Sequence, residues 1–181
     1  MKQFLIVVDM QKDFVDGALG TKEAAAMVPA AAARIRGFQG EIFVTFDTHF
    51  DNYMDTAEGK KLPVPHCIKG TEGWQPDAAV AAALEGKNWT AVEKNTFGST
   101  ELPGLIARAA GEEDFSIELI GLCTDICVVS NALLLKAHFP EKEILVDAAC
   151  CAGVTPETHK AALATMRCCQ ITVKNDTGSN G

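Results

Sequence analysis

Two groups of residues in this sequence have the types and spacing to do chemistry. The run IGLCTDICVVSNALLLKAHFP, Ile120 to Pro140, puts Cys123 and Cys127 at the head of an apolar helical stretch. They are too far apart for a CxxC redox pair, and no histidine is near enough in sequence to complete a zinc finger. The second group lies on the long segment from Asp47 to Trp74, which carries Asp47, His49, Glu58 and His66. Asp47 and His49 are two apart, so an extended chain points both side chains to one face. Two imidazoles with one or two carboxylates suit zinc, iron or manganese, with water in the open positions. An Asp-x-His pair also arises on surfaces by coincidence. Here, however, the segment uses two of only four histidines.

Short β-rich runs alternating with helix-like runs must position these groups. Strands are expected at Phe4–Val8, Glu41–Phe46, Asn88–Val92, Phe115–Leu122, Glu143–Val146 and Gln170–Val173. Helices are expected at Glu23–Phe38, closed by Gly37 and Gly40, and at Pro76–Leu84, Glu101–Ala110, Thr124–His138 and Thr155–Cys168. The last opens with Thr-Pro-Glu, an N-cap followed by proline at the first helical position. Six strands with intervening helices predict a parallel sheet covered on both faces, a Rossmann-like three-layer α/β/α fold. Asp47–Trp74 is the one long irregular segment, and loops of that length in compact domains are usually functional.

Ligands of an open parallel sheet bind at the carboxyl ends of its strands, so the residue after each strand is a candidate. Strand one ends in Asp9. Five preceding apolar residues predict poor solvation and a raised pKa, which suits a base, though a turn-capping aspartate fits equally well. Strand three ends in Lys94, which could hold a negative charge in the crevice or could simply be solvated. Strand four is followed by Cys127 in the first turn of a helix, where the dipole and free N–H groups favour thiolate. The alternative there is a buried structural cysteine. Asp9, Lys94 and Cys127 all fall at the same edge of the sheet.

The 181 residues and 19.3 kDa predict one domain over residues 1–181, with a frayed tail at 175–181. A net charge of -8 argues against nucleic acid as a partner. No apolar run is long enough for a membrane span, and the start MKQFLIVVDMQKDF is too short in apolar residues for a signal peptide. Seven cysteines, four of them in the adjacent pairs Cys150-Cys151 and Cys168-Cys169, predict free thiols in a reducing cytoplasm. His138 and His159 fall on predicted helix surfaces and are expected to be solvated.

The segments VVDMQKDF, EKNTFGS and GLCTDICVVSNA resemble, in order, the three catalytic segments of the isochorismatase-like cysteine hydrolases. The likeness spans nearly the whole chain. It implies a catalytic triad of Asp9, Lys94 and Cys127. It also implies a cis Leu122-Cys123 bond and an oxyanion hole formed by the backbone N–H groups of Cys123 and Cys127. Cys123 departs from the alanine commoner at that position. The nicotinamidase branch is similar in a further respect, an Asp-x-His followed by a segment that here reads PHCIKGTEG. The implied metal ligands are Asp47, His49 and His66, with Glu58 a candidate fourth that some members carry. Phe14, Leu19 and Trp74 would line a small flat apolar pocket by the same likeness, or belong to ordinary core.

The implied activity is hydrolysis of nicotinamide and pyrazinamide to the acid and ammonia through a thioester, a step of NAD salvage. Lys94 and the helix terminus should favour the thiolate, so Cys127 should ionise below the usual value of about 8.5. The resemblance further implies one divalent metal, zinc first, and a homodimer or homotetramer. A sibling hydrolase acting on another small amide, ureide or carbamoyl compound is the nearest rival. A thiol-redox or metal-binding module is a rival of another class; it has no need of Asp9 and Lys94.

Overall fold

The computed structural model describes residues 1–176. The chain runs β1 (Lys2–Val8), α1 (Lys12–Val15), α2 (Lys22–Gly37), β2 (Glu41–Asp47), α3 (Ala57–Lys61), α4 (Ala78–Leu84), β3 (Trp89–Lys94), α5 (Leu102–Ala110), β4 (Phe115–Leu122), α6 (Val129–His138), β5 (Glu143–Ala152), α7 (Pro156–Cys168) and β6 (Thr172–Lys174). The six strands form one sheet in the order β3-β2-β1-β4-β5-β6, with every pairing parallel. The order reverses direction between β1 and β4, which puts the ligand crevice outside their carboxyl ends.

The burial of β1 follows from its sequence. Phe4 to Val8 are each 0% exposed, as a central parallel strand requires. Alternation sends Leu5 and Val7 to one face, against Met27, Val28, Ala31 and Ile35 of α2 and Val80 of α4. Phe4, Ile6 and Val8 face the other side, against Ile106 of α5, Leu135 of α6, and Leu163 and Met166 of α7. The sheet is the middle of three layers. No helix among the described residues is long and apolar enough to cross a membrane.

Four local expectations change. The Asp47–Trp74 segment is not wholly irregular, because it holds a 3-10 turn at Tyr53–Asp55 and α3, capped by Thr56 through Gly59 N–H. The helix expected from Thr124 begins as a π-helical turn over Thr124–Val128, and α6 proper starts at Val129. β5 continues past Val146 to Ala152, with Cys150 packed on the α2 side and Cys151 on the opposite side. Lastly, the start of the expected frayed tail is tied down. Asn175 donates to Asp147 and Asp176 pairs with Arg167, while 177–181 lie outside the described residues. The Thr155 cap of α7 is present as a reciprocal box with Thr158.

Candidate active site

The ends of β1 to β4 deliver the groups that meet in the crevice. Asp9 follows β1 directly, is 0% exposed, and has a left-handed φ of 45°. Aspartate visits that region more readily than most residues, but holding it there costs energy that the surroundings must supply. Thr45 of β2 supplies part of it. Its hydroxyl donates to Asp9 Oδ1 at 2.6 Å, and its oxygens receive the Asp9 N–H. Lys94 ends β3, and its ammonium lies 2.6 Å from Asp9 Oδ2, 3.6 Å from Cys127 Sγ and 3.6 Å from Asp47 Oδ1. The three sequence candidates therefore meet, with the cation between the carboxylate and the thiol.

Burial and mutual charge decide how these groups hold protons. Burial raises the Asp9 pKa against the opposing pull of Lys94. Burial works against the Lys94 charge too, but Asp9, Cys127 and Asp47 outweigh it, so the amine stays protonated. The Cys127 thiol is pushed well above its ordinary value by burial, then by the Asp9 charge, with Lys94 opposing. This corrects the expectation of a pre-formed thiolate. Cys127 sits in the fourth position of a buried π turn, and a desolvated anion beside a carboxylate is disfavoured despite the helix terminus. Lys94 already faces two carboxylates, Asp9 and Asp47, which leaves no counter-charge for a thiolate beside them.

The peptide bond between Leu122 and Cys123 is cis. Cys123 and Cys127 both line a cavity of about 850 Å³, which also takes in Phe14, Leu19, Ile126 and Phe97. Trp74 does not line it. Its ring packs on Phe46 and its indole N–H donates to Thr48 Oγ1, so it lies half-buried against the core.

At the far side of the same cavity, the long loop folds back on itself. His49 N–H donates to the Cys67 carbonyl and Lys69 N–H donates to the His49 carbonyl, which brings His66 beside His49. The Asp13 carboxylate accepts the Cys67 N–H at 2.8 Å and anchors the return. The Asp47, His49, Glu58 and His66 donor atoms lie within 4.8 Å of one another. His49 Nε2 is 3.0 Å and His66 Nε2 3.4 Å from Asp47 Oδ2, and Glu58 Oε1 is 3.8 and 3.6 Å from the same two nitrogens. His66 Nδ1 is held at 2.8 Å by the Val64 carbonyl, which leaves Nε2 free to face a metal. The donor set, two imidazoles and two carboxylates around one centre, fits a divalent ion. Hydrogen bonds from His49 and His66 and the Lys94 charge overcome burial to hold Asp47 below the usual carboxylate range.

Several supporting residues were not singled out from sequence. Gln11 clamps both the N–H and the carbonyl of Asp47 through its side-chain amide. Asn131, buried one helical turn after Cys127, donates to the Cys127 and Phe97 carbonyls and accepts from Ser99 N–H. Its i,i+4 spacing from the cysteine was the available signal. His159 is half-buried and not solvated, because its Nδ1 is 2.8 Å from the Thr124 hydroxyl. His138 is exposed, as expected.

The profile of the isochorismatase domain family matches residues 3–176. The chain is 28% identical, over 92% of its length and 95% of the relative, to nicotinamidase/pyrazinamidase of Mycobacterium tuberculosis. It is similar to the solved pyrazinamidase of Pyrococcus horikoshii in complex with zinc, with 26% identity and a TM-score of 0.76 over 96% of this chain and 98% of the other. It is also similar to N-carbamoylsarcosine amidase from Thermoplasma acidophilum, with 27% identity and a TM-score of 0.74 over 100% of both chains.

Proposed function

The chain belongs to the isochorismatase domain family, and from that premise we propose that it is a cysteine-dependent amidohydrolase that converts nicotinamide, and pyrazinamide, to the acid and ammonia. One observation carries the reading. A buried Asp9–Lys94–Cys127 group opens on the same cavity as a four-residue donor set suited to a divalent metal.

The cycle starts with Lys94 protonated, Asp9 ionised and Cys127 as thiol. As Cys127 Sγ bonds to the carbonyl carbon, its proton passes to Asp9, so a thiolate never stands beside the Asp9 and Asp47 carboxylates. The substrate oxygen takes the negative charge and accepts the N–H groups of Cys123 and Cys127. Asp9 returns the proton to the amide nitrogen, the C–N bond breaks, and ammonia leaves a thioester on Cys127. Asp9 then takes a proton from water as the water oxygen attacks the thioester. As the C–S bond breaks, Asp9 returns that proton to the sulfur, the acid departs, and the thiol and the Asp9 carboxylate are restored.

Asp47, His49, Glu58 and His66 would hold the metal, zinc by preference and iron or manganese as alternatives. When bound, it supplies a Lewis-acid contact for a ring nitrogen meta to the carboxamide carbon. Overall similarity does not choose the substrate, since the carbamoylsarcosine amidase is as similar as the pyrazinamidase. The donor set is what favours a pyridine or pyrazine amide. Seven free thiols support a reducing cytoplasm as the compartment.

The test is ammonia release from nicotinamide, pyrazinamide and benzamide by zinc-loaded protein. Turnover of the first two and little of benzamide is expected. His49→Ala or His66→Ala should lower nicotinamide turnover far more than alkylation of Cys127. Equal turnover of benzamide would remove the ring-anchor role and leave the cysteine hydrolase. No turnover of any pyridine amide would move the assignment to a sibling hydrolase of ureides or carbamoyl compounds.

A further inference from the structure

We propose that His159 is a positioning residue for the site, acting through Thr124 to fix the turn that carries Cys123 and Cys127. The turn Thr124–Val128 joins the two residues on which the chemistry rests, and it is π-helical. Its leading residue, Cys123, gives no side-chain cap; the Cys123 carbonyl accepts the Ile126 and Val128 N–H groups, and the Val129 N–H closes the turn on the Thr124 and Ile126 carbonyls. The remaining hold comes from outside the turn. Asn131 fixes the Cys127 carbonyl from the α6 side, and the Asp125 carboxylate accepts Val154 N–H at 3.1 and 3.2 Å. The Thr124 hydroxyl, on a residue 0% exposed, meets His159 Nδ1 at 2.8 Å.

His159 is well placed to act as a fixed post. It lies in the first turns of α7, whose start is locked by the Thr155–Thr158 box. Gly153, at the end of β5, approaches so closely that a Cβ there would meet the His159 backbone at 2.8 Å. The His159 backbone is therefore packed tightly against the chain as it leaves β5. Burial lowers its pKa, so the neutral imidazole keeps one ring nitrogen free to accept. His159 borders a separate cavity of about 450 Å³ with Met27, Cys151 and Lys160, and is absent from the lining of the substrate cavity. It acts on the nucleophile's position without touching substrate. A misplacement of the order of 1 Å at such a point can cost about a hundredfold in rate.

The kinetic arm of the test rests on the hydrolase reading, and the exchange arm does not. His159→Ala should lower kcat on nicotinamide about ten- to a hundredfold with KM little changed. Amide hydrogen exchange in the peptide spanning 120–131 should quicken, with β1 and α2 unaltered. His159→Asn, whose side chain can either donate to or accept from Thr124, should restore both. Thr124→Val should reproduce the loss, and adding His159→Ala to it should add nothing. Unchanged exchange across 120–131 in both His159→Ala and Thr124→Val would overturn the proposal, as would failure of His159→Asn to restore it. If the wild-type protein hydrolyses no amide, the hydrolase reading falls and the exchange arm still decides this one.

Discussion

Glu118 in β4 and Asp9 at the end of β1 are both carboxylates buried against the same sheet, and they are held in opposite ways. Glu118 Oε1 accepts Arg34 Nε at 2.7 Å, and Oε2 accepts Arg34 Nη2 at 2.9 Å and Lys174 Nζ at 3.0 Å. Two cations serve one anion. Burial resists the charge, but Arg34 and Lys174 prevail and keep the pKa below its ordinary value. Around Asp9 the supply is reversed. Lys94 serves Asp9, Asp47 and the thiol at once, and it is the one cation paired with Asp9 Oδ2. A fully satisfied carboxylate ties α2, β4 and β6 together. An undersupplied one keeps a lone pair for a proton in transit.

The largest test of this contrast is Cys127→Ala, which should abolish amide hydrolysis, while Cys123→Ala keeps most of it. Mass analysis of the enzyme with an aldehyde inhibitor should find the adduct on Cys127; an adduct elsewhere would displace the reactive cluster. Asp9→Asn should cost at least about a thousandfold in turnover; activity within tenfold of the wild type would mean that Asp9 is not the base.

Glu118→Gln should do the converse, costing about 2 kcal/mol in denaturant titration with activity intact. Its pH signature is fixed by sign. The folded pKa lies below the unfolded value of 4.5, so this stability is present above that pH and is lost as pH falls through the folded value. The variant's deficit should shrink on acidification across that window. A deficit independent of pH would break the argument. The smallest effect is on the resting thiol. Iodoacetamide labelling of Cys127, read by peptide mass analysis, should rise only above about pH 8.5, and Lys94→Met should shift it higher still. A shift to lower pH would contradict the assigned balance of charges.

The strand ends were readable in the sequence because burial on both faces writes an unbroken apolar run and the polar residue after it is conspicuous. Asp9 after FLIVV is of that kind; Lys94 is not, because β3 is an edge strand on which Trp89, Thr90, Ala91 and Glu93 are exposed, and only its place at a strand end pointed to it. The histidines of the long loop stood out because histidines are few, but residue type left a surface coincidence open, and the likeness of PHCIKGTEG to the nicotinamidase branch is what implied the ligand set. Residues that support through position were not. Trp74 is a large aromatic near the crevice in sequence, yet its N–H partner Thr48 holds it half-buried against the core. His159 sits on a helix surface by periodicity, and only the packing of α7 against the turn reveals Thr124 as its partner. The π turn itself had no signature, since its residues read as an ordinary helix start. Adjacent cysteines looked anomalous until β5 proved long enough to send Cys150 and Cys151 to opposite faces, each as a small apolar filler.

Gly121 has a φ of 123°, lies where the β4–β5 register shifts, and presents its missing Cβ to the Val8 carbonyl oxygen. Val8 precedes Asp9, and Gly121 stands two residues before Cys123. Any side chain there would push apart the two strand ends that carry Asp9 and Cys123, the proposed base and oxyanion donor. In a saturation library this position should tolerate nothing, while exposed cavity residues such as Phe50, Leu62 and Val154 vary freely. The fold thus separates what can be re-engineered from what cannot: substrate range is written on the rim, and the distance between the strand ends admits no alleles.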